Sequence, residues 1–266
     1  MNPVEVTSQT FIYYKVFIFP ISKCPLILNS LLKFDRIKYF FVLFSLKICC
    51  NMWKLIKKLV FILIIANILF VIFGIFFNPP ITWTQLGSVF KYGKMNRDYV
   101  SYDDMGNNIK KAVLASEDQA FFNHNGFDYK AIEKAMEKND KKGKVVRGGS
   151  TISQQTAKNV FLWQGRSWLR KGLEAIYTFI IEKVWGKDII LERYLNVIEM
   201  GQGVFGAEAA AQYYYNKPAK DLTKSEAAWI AAVLPNPKKY DPKNPSAYLN
   251  KKHKWIMRQM NNIVLK

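Results

Sequence analysis

Glu117-Asp118-Gln119-Ala120-Phe121-Phe122-Asn123-His124-Asn125-Gly126-Phe127-Asp128 is followed, after a basic segment, by Arg147-Gly148-Gly149-Ser150-Thr151-Ile152-Ser153-Gln154-Gln155. The first element sets carboxylates beside aromatic side chains and so offers an acid/base candidate. The second is a glycine-loosened turn opening a helix, where backbone N–H groups and side-chain donors converge on an anion. Acid/base chemistry next to an anion cradle points to group transfer from a phosphorylated donor. Ile109, Val113, Leu114 and Ala120 follow a helical period into Glu117.

Helical signals continue downstream. Residues 129–138 read as a short helix and 139–149 as a mobile basic loop bounded by glycines. Helices are predicted over 151–162, 168–185, 188–196 and 205–215. Thr223-Lys224-Ser225-Glu226 is a capping box opening a helix that stops before Pro235. A basic helix covers about 246–264. Strand-like alternation of useful length is missing, so the predicted fold class is all-α. Residues 78–106 mix aromatic and polar side chains and read as a membrane-proximal connector with little regular structure.

Lys57-Lys58 precedes an uncharged run over 59–77, whose one clearly polar side chain is Asn67. Its length approaches the roughly 20 residues a helix needs to cross a bilayer. Asn78-Pro79-Pro80 stops it. Lys54, Lys57 and Lys58 place the N-terminus in the cytoplasm by the positive-inside rule, with the segment after 78 outside. The run is longer than a signal-peptide core, and no A-x-A-like cleavage site follows it. It is apolar all round, unlike a core helix. Met52-Trp53-Lys54 looks like a start site, so 1–51 are read as a doubtful extension with no assigned function, and 52–58 as a cytoplasmic basic flank. The alternatives for 1–51 are a second hydrophobic hairpin or a segment lying on the membrane.

The formal net charge is +19 over 266 residues. Such a surface favours polyanions: nucleic acid, anionic lipid or diphosphate. The predicted topology turns the choice towards membrane lipids and away from nucleic acid. Cys24, Cys49 and Cys50 all precede the apolar run, so the segment after it has no disulfide and no thiolate metal site.

Glu117, beside Phe121 and Phe122, is the candidate base; its bland alternative is a helix-end carboxylate paired with a lysine. His124 and Asp128 are expected to orient the loop. Ser150 or Thr151 also fits a simple N-cap. Gln154, Gln155, Lys158 and Asn159 bunch polar groups on consecutive turns. Arg166, Arg170 and Lys171 add cations close by. Arg170 and Glu174 are spaced for an ordinary helix salt bridge, or for a cationic clamp around a diphosphate. Lys251, Lys252 and Lys254 read as a solvated face.

The ordered series resembles the peptidoglycan glycosyltransferase family (glycosyltransferase family 51) in its monofunctional, membrane-anchored form. Residues 117–128 fit E-D-x-x-F-x-x-H-x-G-x-D, and 148–155 fit G-G-S-T-I-T-Q-Q with Ser153 for Thr. Residues 170–174 fit R-K-x-x-E, and 187–196 fit K-x-x-I-L-E-x-Y-L-N. Residues 201–214 resemble G-x-G-x-F-G-x-x-A-A-x-x-Y-F, with Tyr214 for the last Phe. Neither departure removes a charge or a catalytic group.

The resemblance implies a lysozyme-like, two-lobed helical domain over 107–245, followed by the basic helix 246–266. It implies polymerisation of lipid II into β-1,4-linked glycan strands by inverting transfer, with release of undecaprenyl diphosphate. Glu117 matches the family's base. Glu174 matches its second carboxylate, near the diphosphate, which allows a divalent cation (Mg or Mn) there; no organic cofactor is expected. Lys158 and Arg166 match diphosphate-stabilising cations. Ser150, Thr151, Gln154, Gln155 and Arg170 match donor contacts, and Asp118, Phe121, His124, Asn159 and Lys171 complete the expected substrate site. Lipid II, the growing strand, membrane lipids, and cell-wall synthesis or division proteins are the expected partners. The expected location is the cytoplasmic (inner) membrane, single-pass, with the catalytic domain periplasmic or extracellular. Ser88-Val89-Phe90-Lys91 matches S-x-x-K but lacks a K-T-G partner, so no transpeptidase is read from it. Two other readings are a lytic transglycosylase using Glu117 as general acid and a non-enzymatic, membrane-anchored cell-wall scaffold.

Overall fold

The computed structural model describes residues 25–142, 149–165 and 167–265; within 25–50 only Phe44 is described beyond its backbone, and 138, 139, 141 and 142 are described by backbone alone. Residues 1–24, 143–148, Arg166 and Lys266 lie outside the described residues. The chain divides into two compact units, 1–67 and 68–266. Helix α1 spans Pro25–Phe76. Within it, Asn51–Phe76 holds an 18-residue stretch of mean hydropathy 3.1 and is long and apolar enough to cross a membrane.

The second unit is helical, as the periodicity predicts. It contains α2 (Trp83–Tyr92), α3 (Asn107–Glu117), α4 (Tyr129–Lys142), α5 (Ile152–Phe161) and α6 (Trp168–Val184). Then come α7 (Gly186–Val197), α8 (Ala207–Tyr215), α9 (Lys224–Val233) and α10 (Ala247–Gln259). Three short strands, β1 (Asn96–Arg97), β2 (Glu199–Gly201) and β3 (Val204–Phe205), form a sheet of order β1-β3-β2. β1 runs parallel to β3, and β2 antiparallel. Strands of two or three residues are too short to leave an alternating pattern in sequence.

Three boundaries differ from the sequence reading. The connector contains α2, opened by a capping box in which the Thr82 side chain accepts from Gln85 N–H and Gln85 accepts from Thr82 N–H. The signature was present as Thr82-Trp83-Thr84-Gln85. Helix α4 runs on to Lys142, into the stretch read as a loop. Helix α10 is no appendage: it packs on α9 and α3 and buries Leu249 and Ile256.

Small side chains let the helices approach closely. Helix α3 buries Ala112 and Ala115, and α9, packed against it, buries Ala227, Ala228, Ala231 and Ala232. The second large contact sets α5 against α6 and α7 around Ile152, Ala157, Ile181, Ile190 and Leu191. Thr223 and Glu226 form the predicted capping box of α9.

Within the second unit the last turns of α1 are tied to α6 and α7. Trp185 Nε1 donates to the Val71 carbonyl at 2.8 Å. Arg193 is 3% exposed; its Nε donates to the Gly74 carbonyl at 2.9 Å and its Nη2 to the Ile75 carbonyl at 3.0 Å. The last carbonyls of a helix have no partner inside it, and the planar guanidinium supplies one here. Glu192 neutralises the same side chain. A Cβ added to Gly74 would stand 2.3 Å from Trp185 Cζ2, so only glycine lets the indole lie against this turn.

Arg193→Ala should therefore lower the thermal unfolding midpoint in detergent by at least about 4 °C, because each buried group left unpaired costs roughly 1–3 kcal/mol. Arg258→Ala, at an exposed position, should leave the midpoint unchanged. Equal midpoints for the two variants would show that the guanidinium does not hold this junction.

Candidate active site

Glu117 is the last residue of α3, and the backbone leaves the helix at Asp118. Three neighbours hold its carboxylate. Ser116 Oγ donates to Oε1 at 2.8 Å, and Gln155 Nε2 donates to Oε2 at 3.2 Å. Lys252 Nζ of α10 stands 3.7 Å from Oε1. The bland reading of Glu117, a helix-end carboxylate paired with a lysine, is thus correct in its geometry and compatible with the functional one. The orientation of Gln155 is set from behind. Tyr194 of α7 is fully buried and donates its hydroxyl to Gln155 Oε1 at 3.2 Å, so the amide nitrogen faces Glu117. Burial, with the negative charges of Glu117 and Asp118, holds the Tyr194 phenol well above the usual tyrosine range and therefore protonated.

Asp118 lines the same cleft as Glu117 and is held on its other side by the fold. Its carboxylate accepts from His124 Nε2 at 3.0 and 3.1 Å and from Ile152 N–H, the first turn of α5, at 3.0 Å. Gly126 N–H donates to His124 Nδ1 at 3.1 Å. A nitrogen that accepts carries no proton, so the proton is on Nε2 and points at Asp118. Asp118 and His124 bind the loop to the N-terminus of α5, which is the orienting role expected of His124. Gly126 has φ +89°, and a Cβ there would lie 2.8 Å from Thr178 Cγ2, so glycine is required on both counts. Phe121 is 1% exposed and packs edge-on against Phe122; it is a core side chain and not a wall of the cleft. Asp128 accepts from Ala131 N–H at 2.9 Å and so opens α4, which is the orienting role expected of it.

The anion cradle resolves into a cap and its neighbours. Thr151, not Ser150, is the N-cap of α5: its Oγ1 accepts from Gln154 N–H, while Gln154 Oε1 accepts from Thr151 N–H. The Thr151 hydroxyl hydrogen goes to the Gly126 carbonyl at 2.6 Å. Thr151 and the Gln154 carbonyl oxygen are therefore occupied by the fold. Ser153 donates to Glu182, a bond a serine makes as well as the family's threonine. Asn159 is 7% exposed and bonded to Thr84, Gln164 and the Gln155 carbonyl, which ties α2 to α5. Gln155 and Lys158 occupy the partly exposed face of α5.

Glu174 is 3% exposed and meets Arg170 Nη1 at 2.6 Å on Oε2 and Lys171 on Oε1. Both its oxygens are matched by cations, so this carboxylate is locally neutralised. Lys171 Nζ also reaches Ser150 Oγ at 3.4 Å, linking α6 to the turn before α5. Among the described residues no group of three or more His, Cys, Asp or Glu side chains could hold a metal ion.

Of these parts, Ser116, Glu117, Asp118, Asp128, Ser150 and Thr151 line one cleft of about 400 Å³, whereas Gln155, Lys158, Arg170, Lys171 and Glu174 are not among its lining residues. Glu117, Ser150 and Thr151 stand on its floor; Lys130 and Lys134 of α4 and Trp255 of α10 complete it. The cleft carries the contents that acid/base chemistry on an anionic, extended substrate requires: one carboxylate, lysines and a helix N-terminus. Lys130, Lys134, Lys252 and Trp255 were not legible as site residues. The lysines look like any solvated lysine in sequence, and only the packing of α4 and α10 turns them towards Glu117.

The motif at 187–196 serves the frame. Lys187 pairs with Glu182, Glu192 accepts from Tyr102 N–H, and Asn196 brackets Val100 through its N–H and its carbonyl. Tyr214, where the resemblance has Phe, donates its extra hydroxyl to the Met200 carbonyl at 3.1 Å. Ser88, of the S-x-x-K match, is buried and donates to the Lys94 carbonyl.

Residues 84–261 match the family described as Transglycosylase. A biosynthetic peptidoglycan transglycosylase of Mannheimia succiniciproducens is 55% identical over 172 residues, covering 65% of this chain and 70% of that protein. One from Haemophilus influenzae is 52% identical over 174 residues, with 65% and 70% covered. One from Xanthomonas oryzae pv. oryzae is 47% identical over 217 residues, with 79% and 87% covered. The matched stretch takes in α3, α5, α6 and α10 and with them every group that meets Glu117: the chain belongs to the transglycosylase family.

Proposed function

We propose that this chain polymerises lipid II into β-1,4-linked glycan strands, with Glu117 as general base. The observation that carries the reading is the meeting of one held carboxylate with the N-terminal end of α5 and the lysines around it in a single cleft. The names of the relatives support the substrate class.

The steps follow from the chemistry. The acceptor's GlcNAc 4-hydroxyl gives its proton to Glu117 as its oxygen attacks the donor's anomeric carbon. The bond from that carbon to the diphosphate oxygen breaks on the opposite face, so an α link becomes β. Undecaprenyl diphosphate leaves with the electron pair. Gln155, Ser116 and Lys252 hold the carboxylate in place for proton transfer. Lys158 and the Arg170–Lys171–Glu174 group, with Arg166 on the family resemblance alone, are assigned to the donor side, where cations offset the charge that grows on the diphosphate. A divalent cation beside Glu174 is a proposal in which substrate oxygens complete its coordination, since among the described residues no group of three or more His, Cys, Asp or Glu could hold it.

We also propose that α1 crosses the cytoplasmic (inner) membrane once, with Lys54, Lys57 and Lys58 on the cytoplasmic side and the cleft outside. A lipid-linked substrate must be met at that surface, where cell-wall synthesis or division proteins are the expected neighbours. A lytic transglycosylase needs a carboxylic acid but no cationic donor side; the buried Arg170 and the partly exposed Lys171, both paired with Glu174, favour the synthetic reaction.

Glu117→Gln should abolish polymer formation from labelled lipid II, a loss of about 10²–10⁴ in rate, while circular dichroism stays unchanged. Activity within a factor of two of wild type would remove Glu117 from the base role. Lys158→Ala and Arg166→Ala should each cut turnover by roughly 10²-fold or more, the scale of one preorganised donor at a developing anion. Lys251→Ala, at an exposed position of α10, should not; equal losses in all three would mean that surface charge alone matters.

A further inference from the structure

Lys251, Lys252 and Lys254 are consecutive basic positions of α10, yet only one of them turns inward. Leu249, Ile256 and Met260 are buried where α10 and the turn after it meet α9 and α3. Position 252 falls on the same face at helical spacing, so the packing that seats α10 also aims this lysine at the cleft. Its side chain is 13% exposed, whereas Lys251 and Lys254 are exposed. An ammonium withdrawn from water needs a counter-charge. The carboxylate at its end is Glu117, with Nζ 3.7 Å from Oε1. Burial pulls the Lys252 pKa below the usual lysine range, and Glu117 opposes that pull.

Other groups face Glu117 from every side. Ser116 and Gln155 are neutral donors. Asp118 is committed to His124 and the α5 N-terminus. The Tyr194 and Tyr248 phenols are pushed up, chiefly by burial and in part by Glu117, so both are uncharged at working pH. Lys130 and Lys134 line the cleft beyond. Lys252 is the cation within ion-pair distance of the base among the described residues.

We propose that Lys252 is a positioning residue for the catalytic base: it keeps Glu117 ionised, turns its carboxylate into the cleft and drives off the proton after each transfer. This rests on the base role proposed above for Glu117. In every cycle Glu117 takes a proton from the acceptor and must lose it to water before the next sugar is added. While Glu117 is protonated, Lys252 is a buried cation without its counter-charge. Release of the proton restores the pair and is favoured for that reason. Gln155 and Ser116 orient the carboxylate but bring no charge, so they cannot supply this step.

The test is the pH dependence of lipid II polymerisation by the full chain carrying Lys252→Met, Lys252→Arg or Lys251→Met. Loss of the positive charge removes the counter-charge 3.7 Å from the carboxylate, so activity should be lost at higher pH than in the wild type. For Lys252→Met the acidic limb should move up by about one unit or more, the scale of a nearby opposite charge. Its kcat near neutrality should fall by roughly tenfold, with KM changed little. Lys252→Arg should restore the wild-type limb, and Lys251→Met should leave limb and rate unchanged. A wild-type acidic limb in folded Lys252→Met would overturn the inference. Should that variant not fold by circular dichroism, Lys252→Gln carries the same comparison, because it also removes the charge and keeps a polar chain. An active Glu117→Gln sinks the base role itself. An inactive Glu117→Gln with an unshifted Lys252→Met profile sinks only the part assigned to Lys252.

Discussion

The carboxylate of Asp118 is the joint on which the site depends. It accepts from protonated His124 Nε2 and from the first free N–H of α5, so one buried side chain binds the end of α3 to the start of α5. A helix N-terminus favours a negative charge, and a histidine proton shared with it is held in one tautomer. The residue before it, Glu117, then has one place to go, the mouth of the cleft. The residue four positions into the same helix, Gln155, falls opposite it. Without this joint Glu117 and the helix that orients it would be connected only through the chain between them, which includes α4.

Charge is organised in two different ways on the two sides of the cleft. Glu174 is compensated within its own helix by Arg170 and Lys171, so it adds little negative field and serves to hold two cations in register. Glu117 is compensated from a distant part of the chain, by Lys252. A local i,i+4 pair persists wherever its helix goes. The Glu117–Lys252 pair exists only if α10 docks. The Glu117 carboxylate is therefore coupled to completion of the fold, and the lysines of α10, equivalent in sequence, differ in what they touch.

The end of the apolar helix is treated in the same economical way. Trp185 and Arg193 meet the carbonyls of Val71, Gly74 and Ile75, and the residue after Arg193 is Tyr194, which orients Gln155. One turn of α7 thus faces the end of α1 with one side chain and the catalytic network with the next.

Much of this was legible from residues alone. The helical period, the capping box at Thr223 and the apolar run are local properties, set by neighbours within a few positions, so the chain states them directly. The ordered motifs named the base, the turn before α5 and the Arg170–Glu174 pair. The tertiary structure decided which polar groups are spent on the frame. Phe121, His124, Thr151 and Asn159 look like ligands in sequence and are engaged in packing, caps and helix ties. Lys252 looks like solvated surface and reaches the base. Burial and partnership are pairwise properties of residues far apart in the chain; α10 lies more than a hundred positions from Glu117, and no pattern within either segment records that they meet.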